Sequence, residues 1–222
     1  MKGQYPRIGV FGRTGTGKTT LAKQIVLHQN RVLVWDPMAE YDEVPNRLDD
    51  LDELDGFLSE VSGEPFFAGR YVPQTPDRDE FDGICGFVYD YGNMLFAVEE
   101  VAEVCGPSWL TPGFSRIVHQ GRHRSIGIAW VTQRLNEVSR TLTGLTDAWA
   151  GFNLAEPADL IALASRCGRD YAERIAGLPR FKWLGFDTYQ RAVFQDLERL
   201  KALWGAPQTW NRAVTCPGDS HR

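Results

Sequence analysis

The sequence predicts an α/β fold: a mostly parallel central sheet flanked by helices, with a β-hairpin toward the carboxyl terminus. Three observations predict it. Short apolar runs ("RIGVF", "RVLVW", "MLFAV", "IGIAWVT") recur along the chain, separated by segments whose apolar residues follow helical spacing. The runs are almost apolar throughout, not alternating, which is the pattern of strands buried on both faces. A Gly/Thr-rich turn carries the first run straight into a helical pattern, the strand–loop–helix order of α/β proteins.

Taken in order, Arg7 to Phe11 is a strand, and a helix runs from about Lys18 to His28. Arg31 to Trp35 is the second strand and ends at Asp36-Pro37. Leu48 to Val61 places leucines at helical spacing with an acidic outer face, "DDLDELD", which reads as a solvated helix surface. Phe66 to Val72 is a further strand, Phe81 to Tyr91 a helix, and "MLFAVEE" after Asn93 the third core strand. The turn "CGPSWLTPG" leads to a helix over Phe114 to Arg122. Ile126 to Thr132 is the fourth core strand and Ala148 to Leu154 the fifth, followed by helices over Ala158 to Arg166 and Arg169 to Ile175. "FKWLGFDTYQRAVFQ" has two aromatic-rich runs about Asp187-Thr188, a hairpin pattern. Residues 1–204 read as one domain. Residues 205–222, rich in Pro, Gly and polar side chains, read as a tail that flexes or packs on a neighbour.

Composition narrows the function classes. The 222 residues are 43% hydrophobic and 24% charged, as in ordinary globular domains. A net charge of −5 argues against coating nucleic acid with the whole surface, while leaving room for a narrow basic strip or a ring pore. No apolar run is long enough to cross a bilayer, and the amino terminus enters a strand at once, so neither a membrane anchor nor a signal peptide is expected. Cys85, Cys105, Cys167 and Cys216 lie far apart without zinc-type spacing and read as reduced thiols. The seven tryptophans are scattered and read as core or interface anchors. His119 and His123, four apart, have no carboxylate pattern that would make them a metal site.

The first chemical motif is "GRTGTGKT", which fits G-x-x-x-x-G-K-[ST] between a strand and a helix. Gly12, Gly15 and Gly17 let the backbone curl so that successive amides of the nucleotide-binding stretch, Arg13, Thr14 and Thr16 included, face a phosphate, and the helix amino terminus adds positive potential. Lys18 then reaches the β- and γ-phosphates, the Thr19 hydroxyl ligates Mg²⁺, and Thr20 is the last residue assigned to nucleotide binding. ATP and Mg²⁺ are the expected ligands. "MLFAVEE" drives five apolar residues into two acids: Glu99 is assigned to the Mg²⁺ shell and Glu100 to the general base that polarises water. Acids at this position also favour the start of a following helix, and the two roles are compatible.

The stretch "GRHRSIGIAWVTQR" ends a buried strand with cations on one side and Gln133-Arg134 on the other. By chemistry alone the knot Arg122, His123, Arg124 suits an arginine finger, a DNA-backbone contact or a helix carboxyl-terminal cap equally well.

With these motifs in place, the chain resembles the HerA/FtsK superfamily of P-loop motor ATPases over roughly residues 5 to 195. "VLVWDPMAEYDE" is similar to the family's second strand with its Asp-Pro ending and following acidic-aromatic pair. "GRHRSIGIAWVTQR" is similar to its Gly-Arg, glycine-containing strand and Gln-Arg ending, and "LTGLTDAWAGFNLAEPADL" to the segment after it. The resemblance implies a RecA-like P-loop NTPase fold of the additional-strand type. It implies that Gln133 senses the γ-phosphate and that Arg122, ahead of Arg124, serves a neighbouring subunit's nucleotide as an arginine finger. The family ends its acidic strand with Asp-Glu. The Glu-Glu found here leaves the division of labour between Glu99 and Glu100 open.

A chain with little beyond the motor core is most similar to the genome-packaging ATPases of tailless, membrane-containing viruses. That likeness implies a homo-oligomer, hexameric by expectation, drawing double-stranded DNA through a central pore into a preformed capsid. It places the protein in the host cytoplasm and at the virion vertex, with a capsid vertex or membrane-associated viral protein as partner. Three alternatives share the phosphate loop: a filamentous-phage-type export ATPase, a small-molecule or nucleotide kinase, and a nucleotide-gated assembly factor without turnover. "GPSWLTPG", Gly106 to Gly113, is a pore-loop candidate that carries no cation.

Overall fold

The computed structural model describes residues 5–203. Along the chain it runs β1 (Arg7–Phe11), α1 (Lys18–Val26), β2 (Arg31–Trp35), β3 (Asn46–Leu48), α2 (Leu51–Val61), β4 (Phe67–Tyr71) and α3 (Arg78–Tyr91). Then follow β5 (Met94–Val98), β6 (Cys105–Gly106), β7 (Trp109–Leu110), α4 (Pro112–Gln120), β8 (Ile126–Thr132) and α5 (Arg140–Gly144). The chain continues through β9 (Ala148–Phe152), α6 (Pro157–Cys167), α7 (Arg169–Ala176), β10 (Trp183–Asp187), β11 (Ala192–Phe194) and α8 (Leu197–Ala202). Nine strands form one sheet in the order β11-β10-β9-β1-β8-β5-β2-β4-β3. Every neighbouring pair from β9 to β3 is parallel; β10 alone runs against its neighbours. The α/β class with a carboxyl-terminal hairpin is therefore as the sequence predicts.

Side-chain size divides the sheet into a thin face and a thick one. On β8, Ala129 and Val131 join Ile8 and Val10 of β1 beneath Leu21, Ala22 and Ile25 of α1. On the opposite face Ile128 and Trp130 join Phe96, Phe81 and Phe114 under α3 and α4. Trp130 meets Trp149 edge to face at 5.5 Å, and Phe81 meets Phe114 at 5.3 Å.

Several boundaries differ from the sequence expectation, each for a local reason. Leu48 belongs to a short edge strand, and α2 starts at Leu51 because the Asp50 side chain accepts from the Glu53 amide at 2.8 Å. Asp77 caps α3 the same way, accepting from the amides of Asp79 and Glu80, so this helix begins at Arg78 and not at Phe81. The expected helix over Phe114 to Arg122 is α4 plus a 3-10 turn over Gly121–Arg124. "CGPSWL" closes as the small β6–β7 hairpin, and β9 ends at Phe152, short of Leu154. The tail 205–222, with Trp210 and Cys216, lies outside the described residues. Cys85, Cys105 and Cys167 are buried free thiols, and among the described residues no helix is long and apolar enough to cross a membrane.

Candidate active site

The parallel register brings the carboxyl ends of β1, β8, β5 and β2 to one edge of the sheet, where ligands of open α/β sheets bind. The loop from Gly12 to Gly17 leaves β1 and enters α1 there. Gly15 at φ +70° and Gly17 at φ +106° adopt left-handed backbone that favours glycine. The Gly12 amide donates to the Thr132 carbonyl at 3.3 Å and the Arg13 amide to the Asn153 carbonyl at 3.0 Å, tying the loop to the ends of β8 and β9. The Thr16 hydroxyl and the Lys18 ammonium both donate to the Arg13 carbonyl, at 2.7 and 3.3 Å. Lys18 is buried, and burial lowers its pKa against the raising influence of Glu100, Glu99 and Glu40. Thr20 is exposed on the first turn of α1.

Two hydrogen-bond chains organise the carboxylates. In the first, the Thr14 hydroxyl donates to Gln133 Oε1, and Gln133 Nε2 donates to Glu100 Oε1 at 2.6 Å. This chain joins the phosphate loop, the end of β8 and the second acid of β5. Glu100 holds φ +45° and opens a 3-10 turn over Val101–Glu103, as expected of an acid that starts the next helical segment. In the second, the Thr19 hydroxyl lies 3.2 Å from Glu99 Oε1 and 3.2 Å from Glu40 Oε2, and the Tyr41 hydroxyl donates to Glu99 Oε2 at 2.6 Å. Burial raises the Glu99 pKa to about 7; the Tyr41 and Thr19 hydrogen bonds pull it down, and the charges of Glu100 and Glu40 push it up. Burial likewise keeps Tyr41 in its neutral, proton-donating form, reinforced by Glu99.

Glu40 and Tyr41 extend the site beyond the sequence reading, which quoted "VLVWDPMAEYDE" without giving them roles. They are placed by Asp36, a fully buried carboxylate at the end of β2. Its Oδ1 accepts from the Glu40 amide at 2.8 Å and its Oδ2 from the Tyr41 amide at 2.9 Å. Arg70 stands 3.6 Å from Asp36 and 2.7 Å from Asp42, which balances the buried charge. Arg180 is a second addition: its Nε donates to the Gly15 carbonyl at 3.0 Å from a loop 165 residues away. Nothing in its sequence surroundings signals that contact.

The cationic knot is not at this edge. Arg122, His123 and Arg124 precede β8 and lie at its amino end, while Gln133 follows its carboxyl end. Arg124 donates to the carbonyls of Tyr89 and Asp90 and so caps α3. The Arg122 carbonyl accepts from the Ser125 amide at 3.3 Å, but its guanidinium is exposed, with no side-chain hydrogen bond or ion pair among the described residues; its charge is felt at Tyr189, whose pKa it lowers against the stronger raising influence of Asp147. His119 Nδ1 sits 2.8 Å from the Ser115 carbonyl on its own helix.

No family model matches the chain. Among solved structures, the genome packaging NTPase B204 from Sulfolobus turreted icosahedral virus 2, in complex with ATP-gammaS, aligns over 87% of this chain and 97% of its own, with a TM-score of 0.72 and 17% identity. The fold is that of a P-loop NTPase. B204 from Sulfolobus turreted icosahedral virus, described as a DNA-packaging ATPase, aligns over 87% and 97% with a TM-score of 0.67 and 19% identity. Protein P9 of Pseudoalteromonas phage PM2 is 27% identical over 139 residues, which are 60% of this chain and 62% of that protein. The match thus spans less than two thirds of that relative.

Proposed function

We propose that this chain is an Mg²⁺-dependent ATPase that moves double-stranded DNA as a ring, hexameric by expectation, and packages a viral genome into a preformed capsid. The observation that carries this reading is the placement of the two ends of β8. Gln133 is bonded to Glu100 within its own site, whereas the exposed Arg122 guanidinium, without an ion pair among the described residues, stands roughly 23 Å away at the far end of a seven-residue strand. Such an arginine cannot serve its own nucleotide; a neighbouring subunit's nucleotide is the natural target. The likeness to the B204 packaging NTPases supports the same reading, and it favours the host cytoplasm and virion vertex as the place of work, with a vertex protein as partner.

The residues fit the two ligands. Left-handed Gly15 and Gly17 allow the loop amides to converge on a phosphate. Thr19, Glu99 and Glu40 form an all-oxygen set of the kind Mg²⁺ takes. No group of three or more His, Cys, Asp or Glu suited to a metal occurs among the described residues, so a cation here depends on phosphate oxygens as well. When bound, Mg²⁺ supplies charge neutralisation on the β- and γ-phosphates. Lys18 balances the same charge, Glu100 accepts the proton of the attacking water, and Gln133 orients Glu100. Because Gln133 also holds Thr14, a change at the phosphate loop is transmitted to the base and along β8 toward Arg122.

Subunit mixing tests the reading. Arg122→Ala is expected to bind ATP normally and to lose about 10³-fold or more in hydrolysis, and Lys18→Ala to lose nucleotide binding. Mixed rings of the two inactive variants are expected to regain DNA-stimulated phosphate release, because an intact Arg122 then faces an intact Lys18. Full activity of Arg122→Ala in a verified monomer, or no recovery in demonstrated mixed rings, refutes the trans mechanism.

A further inference from the structure

Between α7 and β10 the chain makes a tight turn: the Lys182 amide donates to the Pro179 carbonyl at 3.1 Å, with Arg180 and Phe181 at the corner. Phe181 occupies the third position with φ +65°, where turns call for glycine or asparagine. A bulky side chain in this conformation is strained, and its ring is left 62% exposed. Strained backbone of this kind clusters at ligand sites and switch regions.

The turn lies against the phosphate loop. Arg180 holds the Gly15 carbonyl while its guanidinium sits 4.6 Å from the centre of the Phe181 ring. A Cβ placed on Gly17 would come 3.7 Å from Phe181 Cδ1. The sheet order gives this position a direction. Gln133, Glu100 and Glu99 follow β8 and β5, on one side of β1; the Arg180–Phe181 turn enters β10, on the other side, beyond β9. A triphosphate whose γ end points toward Glu100 therefore sends its nucleoside end toward Phe181.

We infer that Arg180 and Phe181 form a nucleobase subsite, in which the Phe181 ring stacks on a purine and Arg180 fixes that ring to the phosphate loop. The inference rests on the reading of Gly12–Thr19 as a triphosphate site. An aromatic face with a guanidinium beside it recognises the π surface and area of a base, with no readout of its edge. Affinity thus falls in the order purine triphosphate, pyrimidine triphosphate, inorganic tripolyphosphate.

Isothermal titration of the full chain with ATP, UTP and tripolyphosphate tests this, using wild type, Phe181→Gly and Phe181→Tyr. Phe181→Gly is expected to weaken ATP binding about tenfold, to leave tripolyphosphate binding unchanged, and to unfold in the absence of ligand at or above the wild-type temperature, since the turn strain is relieved. Phe181→Tyr is expected to keep wild-type affinity for all three. Equal losses for ATP and tripolyphosphate, or an unchanged ATP affinity in Phe181→Gly, overturn the base subsite while the phosphate site stands. A wild-type chain that binds neither ATP nor tripolyphosphate overturns both.

Discussion

Glu99→Gln separates what the site costs the fold from what it contributes to chemistry. In the unfolded chain this carboxyl ionises near 4.5, and in the folded chain burial moves it to about 7. Between those values the folded chain holds a proton that the unfolded chain has released, so raising the pH favours unfolding. The penalty grows up to the folded value and is constant above it. At about 1.4 kcal/mol per pH unit the gap amounts to about 3 kcal/mol. Glutamine keeps the size of the side chain and an acceptor for the Tyr41 hydroxyl, yet cannot ionise. The variant is therefore expected to exceed wild type by about 3 kcal/mol near pH 8 and to converge with it toward about pH 5. Urea unfolding across that range, at constant ionic strength with chelator and without nucleotide, reads the difference directly. A gap that is flat with pH, or that widens toward acid, refutes the assignment of Glu99 as the carboxylate strained by burial. The same substitution removes a negative charge from the Thr19 hydroxyl, so Mg²⁺ with nucleotide is expected to stabilise wild type more than the variant.

Glu100→Gln is expected to keep nucleotide binding and lower phosphate release by at least about 10²-fold, measured in single turnover; undiminished turnover excludes Glu100 as the base. Gly9→Ala places a Cβ 2.2 Å from Trp130 Cζ2 in the thick face of the sheet, and is expected to destabilise by about 1–3 kcal/mol through overpacking. Asp77→Ala removes the cap of α3 and is expected to lower the urea-unfolding free energy by about 1 kcal/mol, with the activity of the site intact.

Much of the fold was legible because its signals are local. Five apolar runs became β1, β2, β5, β8 and β9, since short runs apolar on both faces suit strands buried between two helical layers. The short elements were not legible: β3 pairs along three residues with β4, and α5 spans only Arg140–Gly144. Such elements owe their existence to neighbours more than to their own pattern. At the site, the phosphate loop and the acids of "MLFAVEE" announced themselves by motif. Glu40 and Tyr41 were visible within a quoted motif but had no role until Asp36 was seen to fold them onto Thr19 and Glu99.

The knot "GRHR" shows where reading from sequence stops. Finger, DNA contact and helix cap were chemically equivalent for these cations, and geometry singles out only the cap: Arg124 closes α3, while Arg122 is left exposed. Arg180 is the sharper case, since 165 residues separate it from the loop whose carbonyl it holds. By itself the sequence determined the class of fold, the phosphate loop and the acids beside it, because backbone turns and apolar burial are dictated by nearby residues. Which side chains meet across the strand ends was decided only by the tertiary structure, because strand order and register bring together groups whose separation along the chain carries no signal.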